Sequence, residues 1–295
     1  MKMNKSVLAT TIFILSSGMA ELSQADVILG HDLNSANGTN SEINAIYSAN
    51  RGSDGGGDQS LQFGDHLIGG EYDDVIVGSL GIDVLFGNGG DDILLGGTED
   101  FNGLNRDRAF GNAGNDIFIW APGDGNDFFD GGAGEDVLVM ALVGESLDDA
   151  GFSEDAPFFS VNPPTKDSSQ NFDGIFLDDD YLPFVDVQGS PGFCEVLDQA
   201  TTGMTELNLN HLVRFTLRDV ATAFQEDVDA DPSVDQDTLD TGLRVAVHLN
   251  NTEFVVCGSA DGNEIEVFDL RNSPIEKVSV NDLPLNAYNL VLKTN

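Results

Sequence analysis

The chain has 295 residues, with 12 Lys and Arg against 51 Asp and Glu, for a formal charge of −39. A field of that sign repels nucleic acid and anionic lipid and attracts cations, and no basic patch stands against it. Hydrophobic residues make up 40% of the chain, enough to build a core, and the length bounds it to one or two domains.

Residues 1–25 read as a secretory signal peptide. Lys2 and Lys5 form its positive region and Val7 to Leu15 its apolar stretch. Small residues then lead to a cut after Ala25, with Ala20 the alternative. The apolar run is too short to span a bilayer as a helix, and no later stretch is apolar enough to do so. Export as a soluble protein is expected, to the periplasm, the cell surface or the medium. Residues 26–59 open on Val27-Ile28-Leu29 and become glycine-rich at 52–57. Val27–Tyr47 is expected to form an N-terminal cap, because a repeat stack exposes raw hydrophobic ends, and 48–59 to connect cap and stack.

From 60 to 139 an aspartate recurs every nine residues: Asp65, Asp74, Asp83 and Asp92, then after a gap Asp107 and Asp116, then Asp127 and Asp136. Aligned on them the text reads SLQFGDHLI, GGEYDDVIV, GSLGIDVLF and GNGGDDILL, and later GNAGNDIFI, PGDGNDFFD and GGAGEDVLV. A glycine-rich half ends in Asp at position 6, and a hydrophobic triplet comes next. Position 8 is Leu67, Ile76, Leu85, Leu94, Ala109, Phe118, Phe129 and Leu138. Two residues apart on an extended segment share a face, so the triplet is a short strand whose position-8 residue points to a central core. The glycines supply turns with positive φ. Two such units make one coil of a flattened roll.

These residues resemble the RTX family, the glycine-rich repeats of secreted bacterial proteins with consensus G-G-x-G-x-D-x-U-x. GGAGEDVLV matches it most fully, and GNGGDDILL and GNAGNDIFI lose only the second Gly. The resemblance implies a right-handed parallel β-roll; the strand-rich text after 174 adds a mostly antiparallel β domain, so the expected fold class is all-β. It also implies calcium, held between stacked turns by Asp carboxylates and turn carbonyls. Carried onto this chain, one edge holds Asp65, Asp83, Asp107 and Asp127, and the other Asp74, Asp92, Asp116 and Asp136. The turn residues implied are Gly69, Gly70, Gly78, Gly81, Gly87, Gly89, Gly90, Gly111, Gly114, Gly125, Gly131, Gly132 and Gly134.

The chemistry points the same way without the resemblance. Oxygen-only ligands on turns suit a hard cation taking six to eight ligands at about 2.3–2.6 Å, whereas softer metals want His or Cys. His66 sits at outward position 7 and reads as a surface residue. Residues 60–139 hold 16 acids against Arg106 and Arg108, so folding and cation binding are expected to be coupled. Some units depart from the pattern. Tyr72 replaces a Gly, SLQFGDHLI has almost none, and Asp65 reads alternatively as a cap. Insertions predict loops bulging from the roll at 98–105 and 120–122.

Residues 140–173, with Pro157, Pro163 and Pro164, read as a linker or an irregular edge, and 174–295 as a C-terminal β domain. Its strands are expected at 174–187, 211–220, 243–249, 253–258, 264–270 and 289–293, with Asn250-Asn251-Thr252 closing a hairpin and a short helix around Glu195–Ala200. Cys194 and Cys257 are expected to form one disulfide in an oxidising compartment, with two separate buried thiols the alternative. The run Asp227, Asp229, Asp231, Asp235, Asp237, Asp240 resembles an EF-hand loop, yet Pro232 and Thr238 occupy its Gly and Glu places; it reads as a solvated loop, with an extra calcium site the alternative.

The four histidines are scattered, and neither H-E-x-x-H nor G-x-S-x-G occurs, which argues against a metalloprotease or a lipase. The leading expectation is a secreted calcium-binding protein. The alternatives are a polysaccharide-acting enzyme, or an adhesin that binds a surface glycan or protein through the C-terminal domain.

Overall fold

A computed structural model describes residues 27–29, 41–42, 65–78, 82–96, 106–122, 124–144, 171–172, 175–176, 182–199, 209–218 and 244–292. The signal peptide, the 48–59 connection, the 98–105 loop and the acidic run from Asp227 to Asp240 lie outside them.

Strands β1 (Val27–Leu29) and β2 (Ser41–Glu42) precede the repeats. The repeats supply β3 (Asp65–Ile68), β4 (Val75–Val77), β5 (Val84–Gly89), β6 (Ile93–Leu95), β7 (Arg108–Ala113), β8 (Ile117–Trp120), β9 (Phe128–Ala133) and β10 (Val137–Met140). Beyond them come β11 (Leu142–Gly144), β12 (Asn171–Phe172), β13 (Ile175–Phe176), β14 (Phe184–Asp186), β15 (Gly192–Asp198) and β16 (His211–Leu217). Last are β17 (Arg244–Asn250), β18 (Phe254–Gly258), β19 (Ile265–Asp269), β20 (Glu276–Val278) and the helix α1 (Leu285–Leu292).

Successive repeat units alternate between two sheets. One sheet runs β1-β4-β6-β8-β10-β18-β19-β20 and the other β15-β16-β17-β9-β7-β5-β3-β2. Within the repeats every pairing is parallel, so the chain winds as the expected β-roll. Position 8 stays in register along both sheets: Leu67, Leu85, Ala109 and Phe129 in one, Ile76, Leu94, Phe118 and Leu138 in the other. All eight are fully buried between the sheets. Ala109, small for a core place, is compensated by Phe118 and Phe129, whose rings stack at 5.4 Å.

The two sheets differ on their outer faces. In β4, β6, β8 and β10 positions 7 and 9 are buried as well, Val75, Val77, Ile93, Leu95, Ile117, Ile119, Val137 and Val139 forming a second core with Val185 of β14 and Ala287, Leu290 and Val291 of α1. The triplets VIV, ILL, IFI and VLV are therefore apolar throughout, as strands buried on both faces must be. The triplets of the other sheet, HLI, VLF, RAF and FFD, bury only their middle residue fully.

The later strands pair antiparallel among themselves, β15-β16-β17 and β18-β19-β20, and join the roll edge to edge. β17 lies parallel to β9 and β18 parallel to β10, so residues 244–258 wind one further coil. This corrects the expected hairpin: Asn250-Asn251-Thr252 turns the chain from one sheet into the other. The Cys194–Cys257 disulfide is present and links β15 to β18, one strand from each sheet.

Three local expectations are also corrected. Residues Glu195–Asp198 continue strand β15 because they pair with β16 as far as His211. Residues 289–292 belong to α1, which starts after Pro284 and buries Ala287, Leu290 and Val291 on one face, the i, i+3, i+4 spacing of a helix. Trp120, Ala121 and Pro122 do not bulge outward. Trp120 ends β8 inside the core against Phe215, at 4.9 Å between rings, and its Nε1 donates to the Gly125 carbonyl at 3.2 Å.

Candidate metal centre

Each position-6 aspartate from Asp74 onward lies just before a strand, at the corner where a turn enters a sheet, and all of these are buried: Asp74, Asp83, Asp92, Asp107, Asp116, Asp127 and Asp136. Stacking the coils stacks these corners into two columns. In one, the backbone N–H of Asp74 donates to Asp92 Oδ1 at 2.7 Å, Asp92 to Asp116 Oδ1 at 2.9 Å and Asp116 to Asp136 Oδ1 at 2.8 Å. In the other, Asp83 donates to Asp107 Oδ1 at 2.7 Å and Asp107 to Asp127 Oδ1 at 2.9 Å. One carboxylate oxygen thus ties neighbouring coils together, and in Asp92, Asp116 and Asp136 it leaves the second, Oδ2, for another purpose.

The turns explain the sequence pattern. In the units that begin at Gly87, Gly111 and Gly131, positions 2 and 4 both take positive φ: Asn88 at 77° and Asn112 at 76° beside Gly132 at 104°, then Gly90 at 114°, Gly114 at 141° and Gly134 at 154°. Asn tolerates the left-handed region at position 2, which is why losing the second Gly does no harm. Gly114 at position 4 has no such latitude, since a Cβ there would overlap the Gly90 carbonyl of the preceding coil. Position 1 has a different reason to be Gly. A Cβ on Gly111 would overlap Asp116 Oδ2 and the Gly131 carbonyl, and one on Gly87 would overlap Asp92 Oδ2. Carboxylate oxygen and turn carbonyl share a cradle that only glycine leaves open.

The remaining expected residues have their own places. Gly69 donates to the Phe86 carbonyl at 2.8 Å, Gly78 to Leu95 at 2.9 Å and Gly89 to Gly70 at 3.1 Å, while the Gly70 N–H reaches Asp74 Oδ2 at 2.5 Å. Gly125 takes φ 86° where the Trp120 indole meets it. Asp65 opens β3, backbone-paired with Glu42; its side chain and Gly81 lie outside the described residues. His66 is a half-buried surface residue on the edge of Phe86.

Four features escape the nine-residue pattern. Asp124, at position 3 of its unit, is buried, and its carboxylate lies with those of Asp107 and Asp127 so that ligand atoms of all three fall within 4.8 Å of one another. Gly96 stands before the insertion yet serves Asp107 as position 1, for a Cβ there would overlap Asp107 Oδ2. Glu253 continues the first column, its Oε2 accepting from the Asp136 N–H at 2.8 Å. A flanking row runs at position 5, where the backbone N–H of Asp91 donates to Asp73 Oδ1 at 2.8 Å, that of Asn115 to Asp91 Oδ1 at 2.7 Å and that of Glu135 to Asn115 Oδ1 at 2.9 Å.

Burying so many acids is costly unless something offsets it. Burial pushes Asp92 up to about 7, Asp116 to about 8 and Asp136 to about 7, with neighbouring acids adding to the rise and the backbone N–H from the adjacent coil opposing it. The Oδ2 atoms of Asp92, Asp116 and Asp136 are buried with no hydrogen-bond partner. A buried, oxygen-only donor set that is short of positive charge fits a hard metal ion. The Asp107–Asp124–Asp127 group is likewise an arrangement that can hold one.

Residues 68–100, 102–119 and 123–139 match the RTX calcium-binding nonapeptide repeat, in four copies. No curated protein and no solved structure matches the chain. Fold, aspartate columns and family match agree: residues 68–139 are RTX calcium-binding nonapeptide repeats wound into a β-roll.

Proposed function

We propose that this is a secreted calcium-binding protein whose roll is completed by external calcium. The carrying observation is the set of buried Oδ2 atoms on Asp92, Asp116 and Asp136 that meet no donor. Calcium supplies the missing positive charge. The ligands assigned to it are Asp74, Asp92, Asp116 and Asp136 on one edge, and Asp65, Asp83, Asp107 and Asp127, joined by Asp124, on the other. Carbonyls of the glycine turns complete the shell. Without the ion these carboxylates repel one another at neutral pH, so binding contributes directly to folding. Affinities of about 10⁻⁴–10⁻³ M, usual for extracellular modules, would keep the roll loose inside a cell and fill it outside. The disulfide supports an oxidising destination.

Circular dichroism of the purified protein in EDTA and in millimolar calcium tests the reading. Calcium should increase β structure and sharpen thermal unfolding, and Asp92→Ala with Asp116→Ala should blunt both effects. Identical spectra and melting curves with and without calcium would contradict it.

A further inference from the structure

The first aspartate column does not stop at the last repeat. Glu253 takes the next place, accepting from the Asp136 N–H and returning its own N–H to the Asp136 carbonyl at 3.0 Å. The coil that carries it is shorter. Asn251, Thr252 and Glu253 join the residues paired with Asp130 and Val137, where the preceding coil uses Gly131 through Asp136. The glycine turn that closes each earlier step is therefore missing from this one.

The group that reaches Glu135 here is a guanidinium. Arg271 Nη1 donates to Glu135 Oε1 at 2.7 Å, and Nε and Nη2 grip Asp269 at 2.9 and 2.6 Å. Its plane lies over the Phe254 ring at 4.6 Å. Glu135 ends the position-5 row and Glu253 ends the position-6 row. A planar fork that satisfies one carboxylate bidentately and reaches a second is what Arg supplies and Lys does not.

We propose that Arg271 is the cation of this last step. On the calcium reading, on which this inference rests, an ion neutralises the acids at each earlier step; here a side chain of the protein does so. The column ends on a fixed charge, and the C-terminal coil closes without metal. A terminal ion held from one side only would exchange with solvent, whereas a tethered guanidinium stays in place whether or not calcium is present.

The test compares the full chain with R271Q and with E135Q/R271Q, by calcium calorimetry and by melting in EDTA and in millimolar calcium. R271Q should lower the melting midpoint in EDTA by roughly 2–4 °C or more, and by clearly less in calcium, because a free ion can neutralise the acids left behind. E135Q/R271Q, which removes an acid together with the cation, should recover part of the loss in EDTA. An equal loss in both media with no recovery in the double variant would make Arg271 an ordinary ion pair and overturn the proposal, as would R271Q failing to fold even in calcium. A wild-type chain that takes up no calcium would overturn the calcium reading itself, whatever R271Q does.

Discussion

The backbone N–H of Asp136 donates to the carboxylate of Glu253 at 2.8 Å, although 117 residues separate the two. That contact welds the last repeat to the coil that closes the roll. Glu253→Ala should leave a buried donor unmet and cost about 1–3 kcal/mol in urea unfolding. Glu253→Gln, which keeps an acceptor, should lose much less. Equal effects would mean that charge, not the hydrogen bond, is what Glu253 contributes.

The aspartates should respond in opposite directions with and without metal. Asp116 is buried, carries a raised carboxyl and has an Oδ2 that meets no donor. Asp116→Asn keeps an oxygen for the Asp92 N–H and removes the charge. In EDTA the variant should be more stable than wild type, and in calcium less stable. Chemical denaturation in both media reads the crossing directly; a variant weaker in both would contradict it.

The pH dependence comes from the same groups. Asp92, Asp116 and Asp136 titrate at about 7, 8 and 7 in the fold against roughly 3.9 unfolded. A carboxyl raised by folding favours the native state while protonated. The calcium-free roll should therefore lose stability as pH rises from about 4 to 8 and level off above that. His211 and His248, lowered by burial, act the other way near pH 6.5, but three carboxyls displaced this far outweigh them. Urea midpoints in EDTA should fall between pH 5 and 8, and calcium should flatten the slope. A midpoint that rises across this range would contradict the assignment.

The disulfide crosslinks the sheets over a sequence separation of 63 residues. In the chain-entropy account its removal costs about 4 kcal/mol. Cys194→Ser with Cys257→Ser should show a loss of that order in calcium-saturated protein, and no loss at all would mean that the reduced chain retains the constraint by other means.

Much of the roll is legible in the sequence because its physics is local. A nine-residue period with glycine at the turns and an apolar position 8 fixes strand, corner and core together, and the insertion before Asp107 is absorbed between Gly96 and Asp107 without shifting register. The all-apolar triplets VIV, ILL, IFI and VLV also carry the signal of a sheet covered on both faces, which a reading of position 8 alone does not use. What stays hidden depends on distant partners. Asn250-Asn251-Thr252 reads the same whether it closes a hairpin or turns a coil, and only β9 and β10 decide the matter. Asp124 is out of phase with the clock, and Glu253 has no glycines around it. Trp120 reads as an insertion because its partner Phe215 is far along the chain.

Calorimetric titration of the EDTA-stripped protein with calcium, and separately with magnesium, tests the central claim most directly. The account predicts saturable uptake of more than one calcium ion per chain, coupled to a gain in β structure, with magnesium far weaker because the turns supply many loosely arranged oxygens and no tight octahedron. Absence of calcium uptake, or equal uptake of both ions without structural change, would contradict it.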